Sequence, residues 1–130
     1  MSRYQRLALA PLTRDELAAG LTELGLEFEW AGATSQLELT GSLECVGEPV
    51  DLRLPAGTLG AVEDLGFLLA PTLALVCGEF DRAQLERRLV APLTQAVAAA
   101  RARAAAAAAG LTVDEHLEAD GTRRLVLTRT

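Results

Sequence analysis

Hydrophobic positions recur along this chain with two distinct periods, and the changes of period divide it into elements. Leu17, Leu21 and Leu24 are spaced as one face of a helix. Ahead of them, Thr13 and Glu16 have the spacing of a capping box, Leu12 and Leu17 flank it as a staple, and Gly25 can close the helix in the left-handed conformation. The spacing predicts a helix from Arg14 to Leu24. Upstream, the apolar segment Tyr4 to Ala10 reads as a strand that ends at Pro11, which cannot donate to a ladder.

Beyond Gly25 the period becomes two. Leu26, Phe28 and Trp30 alternate with Glu27 and Glu29. Leu37, Leu39, Leu43 and Cys45 alternate with Glu38, Thr40, Ser42 and Glu44, and Val50, Leu52 and Leu54 with Asp51 and Arg53. Strands with one polar face pair antiparallel, so a meander of three is expected, with turns at 32–35 and 47–49 and a loop at 55–60. Residues 62–77 carry a continuous apolar run, Phe67, Leu68 and Leu69, before Pro71, then Leu73, Leu75 and Val76. A hairpin turning at Pro71 fits that pattern.

Helical spacing returns at Leu85, Leu89, Leu93 and Val97. Asp81 and Gln84 have capping-box spacing, and Phe80 with Leu85 the spacing of a staple. Pro92 lacks an amide and crowds the carbonyl four residues back, so a kink or break is expected near Val90, with division into two helices left open. From Ala98 to Ala109 the chain is almost pure alanine apart from Arg101 and Arg103, and Gly110 closes it. Such a helix packs closely on a sheet or offers a flat surface to a partner; straight from 82 to 109 it would run roughly 40 Å, long enough for its end to project. The chain finishes with segments 111–117 and 122–128 around Asp120-Gly121, a hairpin signal. Leu125 and Leu127 fall on one side and Val126 on the other, which implies cover on both faces or a bulge and leaves the register open. The expected architecture is one α+β domain over residues 1–130. In it a two-layer antiparallel sheet of six or seven strands is covered on one face by two helices, the second long and Ala-rich, and ends in a C-terminal β-hairpin.

Composition narrows the function classes. Half the residues are hydrophobic, which suits a globular chain, and Lys, Ile and Asn are absent, so all twelve basic residues are Arg. The net charge of −6 is uneven: residues 1–80 hold twelve acids and four Arg, whereas residues 81–130 hold six acids and eight Arg. That is −8 against +2. Nucleic acid is disfavoured as a partner by the acidic segment; the polarity suits a partner of complementary field or self-association of acidic and basic faces, but an ordinary solvated surface accounts for it better. No apolar run approaches the roughly 20 residues that span a bilayer, and a secretory leader pattern is missing, so no membrane association and a cytoplasmic location are expected. Cys45 and Cys77, in apolar strand-like runs, read as buried thiols.

Candidate chemistry is sparse. His116, the one histidine, stands with Asp114, Glu115 and Glu118, but a metal or acid-base site needs further convergent ligands. A solvated edge strand, with Arg123 and Arg124 as charge partners across the turn, explains the cluster. Ser2, Ser35 and Ser42 have only His116 as a conventional base, and neither a nucleophile elbow nor a phosphate loop is present. No catalytic residue, cofactor or metal is therefore expected.

The order from Leu85 onward is an apolar helix with Leu93, Thr94 and Gln95 at its centre, Gly110, the acidic strand Asp114 to Glu118, Asp120-Gly121, and a close of Leu125, Val126, Leu127 and Arg129. With Met1-Ser2 and the helix Thr13 to Gly25 at the start, this order resembles the plastid and cyanobacterial reading-frame family catalogued as domain of unknown function twelve-fifty-seven. Departures are Arg3, where that family often has His, and Ala96, Val97 and Ala98, where it has aromatics and His. The resemblance implies a companion of AAA-type ATPases, hence an adaptor or accessory subunit, and carries over no active-site residues.

The first functional expectation is thus a non-enzymatic protein-binding module in a larger complex, using the Ala-rich helix, with Arg88, Arg101 and Arg103 as candidate partner contacts. Two others compete with it. One is a ligand-binding or enzymatic domain with a pocket between helices and sheet, into which Trp30, Cys45 or His116 points. The other is a homo-oligomeric structural component.

Overall fold

The computed structural model describes residues 3–41 and 47–129. In chain order the elements are β1 (Tyr4–Ala8), α1 (Arg14–Glu23), β2 (Glu29–Trp30), β3 (Leu37–Leu39), β4 (Glu48–Val50), β5 (Leu52–Leu54), β6 (Leu65–Leu68) and β7 (Ala74–Gly78). They are followed by α2 (Arg82–Leu85), a π-helical turn (Glu86–Val90), α3 (Ala91–Ala108), β8 (Leu111–Leu117) and β9 (Arg123–Arg129). The class is α+β. Its central sheet has five antiparallel strands in the order β1-β7-β6-β5-β2, with separate two-stranded ribbons β3-β4 and β8-β9 in place of a single larger sheet.

Each strand sends alternate side chains to opposite faces, and the two faces have different cover. On one, Leu52, Leu54, Leu65, Phe67, Leu75 and Cys77 pack against Leu17 and Leu21 of α1 and the stripe Leu85, Leu89, Leu93 and Val97. On the other, Leu68, Ala74 and Val76 meet Leu39 and Val50 of the β3-β4 ribbon, with Tyr4 and Leu37 at the margin. β6 and β7 are therefore buried on both sides, which is why residues 67–69 read as a continuous apolar run instead of an alternation. The hairpin they form turns at Pro71, as the pattern predicts.

The three-stranded meander does not form. β3 does pair with β4, but β2 pairs with β5, and the 48–54 segment bends between them at Asp51. The bend has two causes. The Asp51 amide donates to the Phe67 carbonyl at 2.9 Å, while its carboxylate accepts from the Leu69 amide at 2.8 Å and from Gln36 at 3.1 Å. Gly66 makes the crossing possible, since a Cβ there would lie 2.5 Å from the Leu52 carbonyl oxygen and 2.7 Å from a Val50 methyl. The expected continuation of β3 through Leu43 and Cys45 lies outside the described residues.

The Thr13 capping box is in place: the Thr13 hydroxyl accepts from the Glu16 amide at 3.1 Å, and the Glu16 carboxylate accepts from the Thr13 amide at 2.9 Å. The second helix starts differently from the pattern's implication. Asp81 caps nothing in it and is buried; its carboxylate accepts from the Val62 amide at 2.9 Å and the Glu63 amide at 3.0 Å, tying the loop before β6 to the helix entrance. Phe80 is 80% exposed, so no staple closes over Leu85. Both residues point away because the chain enters through a tight turn, Glu79–Asp81, with Asp81 itself in helical geometry.

Pro92 does not break the helix either. Backbone from 82 to 108 stays helical, and the strain of the proline ring is avoided by widening: over Glu86–Val90 the turns are π-helical, the Ala91 amide donating five residues back to Glu86. The helix is continuous through Pro92, so its missing amide costs one backbone bond, which the π-helical turn before it accommodates. Farther on, Ala106 is buried while Ala104, Ala105, Ala107 and Ala108 are exposed, so the last turns have one covered side.

Candidate protein-binding surface

The three arginines picked out by the Ala-rich helix do not converge. Arg101 and Arg103 are two residues apart, which turns them to opposite sides of a helix. Arg101 clamps Glu16 at the start of α1, with Nη2 2.8 Å from Oε1, and Nη2 also donates to the Pro11 carbonyl at 3.3 Å. The guanidinium, with the Thr13 amide, holds the Glu16 carboxyl down at about 2. Arg103 donates to Glu115 of β8, and Arg88 to the Leu59 carbonyl at 3.3 Å. Each guanidinium thus braces its own chain. Arg101→Glu would set one carboxylate against another at the α1 cap, so it is not a neutral surface change.

The second strand of the C-terminal hairpin gives a better-defined surface. Its register runs without a bulge from Leu111 opposite Arg129 to Leu117 opposite Arg123. The shared-face rule puts Leu111, Val113, Glu115 and Leu117 with Arg123, Leu125, Leu127 and Arg129 on the side toward α3, and Thr112, Asp114 and His116 with Arg124, Val126 and Thr128 outward. Neither face is closed over. Leu111, Val113 and Leu125 are half-buried, whereas Leu117 and Leu127, on the same face, are 76% and 53% exposed. An apolar face of five aliphatic residues therefore contains not one that is fully buried. The sequence alternation names these residues, but their poor cover follows from the alanines beneath them, too short to fill the space.

Ion pairs link the hairpin to the rest: Arg123 to Glu23 of α1 at 2.6 Å, and Arg103 of α3 to Glu115. The expected charge partners for the His116 cluster are found in part, with Arg124 3.2 Å from Glu118 and Arg123 3.9 Å from Glu115. His116 itself is exposed on the outward face, and among the described residues no group of His, Cys, Asp and Glu could hold a metal ion.

The space between helices and sheet, where a ligand pocket was an alternative, is filled by the leucine core. Cys77 lies in it, and burial pushes its thiol up to about 11, with the Asp81 charge adding to the effect. Cys45 lies outside the described residues. Trp30 is half-buried beneath the Arg14 guanidinium, 4.0 Å from the ring centre, with Phe28 edge-on at 6.4 Å. A cleft of about 440 Å³ is lined by Glu27, Phe28, Glu29, Thr40, Arg53 and Asp64. Most of its charges are already used. Arg53 binds Glu29, and Asp64 accepts from the Tyr4 hydroxyl, the Thr40 amide and hydroxyl at 2.8 and 3.1 Å, and the Gly41 amide at 2.9 Å. Burial raises the Asp64 carboxyl, but these donors outweigh it and hold the carboxyl below its ordinary value.

Among the described residues no helix is long and apolar enough to cross a membrane. No family model, curated protein or solved structure matches the chain.

Proposed function

We propose that this chain is a non-enzymatic protein-binding module of the cytoplasm, an adaptor or accessory subunit of a larger complex, with an AAA-type ATPase as the partner that the resemblance implies. The observation that carries the reading is the β8-β9 ribbon. It stands outside the central sheet, both its strands keep an unpaired edge among the described residues, and Leu117 and Leu127 extend an apolar face beyond what α3 covers. Unpaired edges and uncovered aliphatic side chains are what an added strand or helix of a partner buries.

The test is affinity purification of the tagged chain from its native host, with and without ATP, beside a Leu117→Asp, Leu127→Asp variant. Both residues are largely exposed, so the melting temperature should change little. A stoichiometric partner recovered with the wild type and lost with the variant supports the module and its surface. A partner retained by the variant moves the surface elsewhere, and recovery of the chain alone, at low and moderate salt, removes the adaptor reading.

A further inference from the structure

Phe80 and Leu117, the two most exposed large hydrophobic side chains among the described residues, stand at opposite ends of one helical face. Phe80, Ala83, Arg87 and Ala91 follow at helical spacing, and all four are exposed. The other sides of this segment are taken. Leu85 and Leu89 lie in the core, Arg82 bonds Gln5 and Glu86 on one flank, and Arg88 bonds the Leu59 carbonyl on the other. At its far end the face meets a cleft of about 320 Å³ between the helices and the hairpin tip, where Leu24, Arg87, Ala91, Pro92 and Leu117 are among the lining residues. Phe80 is thus a knob and the cleft a hole, roughly 15 Å apart along one helix.

Both ends are held in place before any contact forms. On one side of Phe80 the Glu79 amide donates to the Arg3 carbonyl at 2.6 Å, and on the other the Asp81 carboxylate accepts from the Val62 and Glu63 amides. The cleft is walled by the helix at Pro92 and by the hairpin tip, where the Asp120 carboxylate accepts from the Thr122 amide at 2.9 Å. An aromatic presented on a fixed turn to a fixed cleft loses little freedom on binding. The face also carries unspent charge of both signs. Among the described residues, neither the Glu79 carboxylate nor the Arg87 guanidinium has an ion pair or a hydrogen bond.

We propose that two copies of this chain form a two-fold dimer through this face, their 79–92 segments running antiparallel about an axis between Ala83 and Arg87. Phe80 of each copy enters the cleft of the other, opposite Ala91 and beside Leu24, Pro92 and Leu117. Arg87 crosses Ala83 of the second copy, whose single methyl leaves room, and reaches Glu79 one turn beyond. Knob and hole on one line make the face self-complementary under a two-fold axis, which closes after two copies. Any other partner would need a pocket and an aromatic at the same spacing. The accessible surface supports a missing neighbour: it is 7729 Å², about 1,100 Å² above the roughly 6,600 Å² expected of a compact 13.7 kDa monomer, and a standard interface hides about 800 Å² on each partner. This inference goes beyond the adaptor reading, with which it shares Leu117 and neither strand edge.

Sedimentation velocity of the full chain from roughly 1 µM to 1 mM should show a monomer–dimer equilibrium and no larger species. Phe80→Ser, at a largely exposed site, should leave the circular dichroism spectrum unchanged and weaken dimerisation about thirtyfold or more. Glu79→Arg and Arg87→Glu should each stay monomeric where the wild type dimerises, because each sets like charges together at both joints. Their mixture, and the variant carrying both changes, should dimerise again, a rescue that no folding defect would allow. Leu127→Asp, outside the cleft, should dimerise as the wild type does. A wild-type chain that stays monomeric throughout, growth beyond the dimer, Phe80→Ser that dimerises as tightly as the wild type, or charge-reversed copies that fail to rescue each other overturns the joint. The adaptor reading fails separately, when the tagged wild-type chain recovers no host partner.

Discussion

Asp81 shows how a single side chain can serve a different end from the one its spacing suggests. Three residues before Gln84 it has the form of a helix cap, yet its carboxylate reaches across to the Val62 and Glu63 amides. Those amides sit in a loop that needs donors satisfied more than the helix does, since the helix start remains open to solvent. Asp81→Ala should therefore cost about 2–3 kcal/mol in urea denaturation, the price of two stranded amides, and a loss below about 0.5 kcal/mol would show that water replaces it. Glu16 is the opposite case: its spacing predicts its bond to Thr13, but nothing local predicts Arg101, 85 residues away. The Arg101 guanidinium and the Thr13 amide lower the Glu16 carboxyl from 4.5 to about 2. A carboxyl depressed in the folded state adds stability above its unfolded value and loses it as pH falls through the folded one. The wild-type melting temperature should thus decline between about pH 4.5 and 2 more steeply than that of Glu16→Gln. Parallel declines in the two proteins would show that the pair contributes no pH-dependent stability.

Elements were legible in the sequence where one local pattern decides them, and obscure where the decisive contact is distant. The first helix, the 62–77 hairpin and the C-terminal hairpin follow from caps, periodicity and turn residues. The pairing of β2 with β5 does not, because the alternation of 48–54 is unbroken in sequence; the bend at Asp51 depends on Phe67, Leu69 and the absence of a side chain at Gly66. Similarly, Pro92 announces an interruption but not its form, and widening over Glu86–Val90 keeps the leucine stripe aligned where a break would not. For the candidate surface, the hairpin was legible but its incomplete cover was not, and no local pattern shows that Arg88, Arg101 and Arg103 bond within the chain. Two glycines separate these effects. Gly66→Ala should cost about 2 kcal/mol or more, because the Cβ meets a Leu52 carbonyl and a Val50 side chain that other strands hold in place. Gly20→Ala meets the tip of Leu93 at 2.5 Å, a side chain that can rotate, and gains helix propensity, so its net change should lie within about 1 kcal/mol of zero. Chemical denaturation of both proteins checks the contrast, and equal losses would contradict it.

At the scale of the whole molecule, burial is concentrated in β5 to β7 and the helix stripe, and falls away along the chain toward the hairpin. β6 and β7 have apolar cover on both faces, whereas β8 and β9 have seven residues each and no side chain fully buried. Surface ion pairs such as Arg123 with Glu23 add little to hold the ribbon in place. Stability should accordingly be graded: opening the hairpin sacrifices half-buried contacts with Leu111, Val113 and Leu125, while opening β7 exposes Leu75, Val76 and Cys77 and dissolves the core. Native-state hydrogen exchange should report this as two levels, the inward amides of residues 112–116 and 124–128 exchanging through a local opening and those of 65–68 and 74–78 only through global unfolding. Addition of a partner that pairs with β9 should raise the first level toward the second, because the outward amides of Leu125 and Leu127 gain acceptors and the apolar face gains cover. Equal protection of both regions in the isolated chain would mean that α3 and the ribbon already belong to the cooperative core. The uncovered leucines would then be ordinary surface, and the case for a binding ribbon would lose its physical basis.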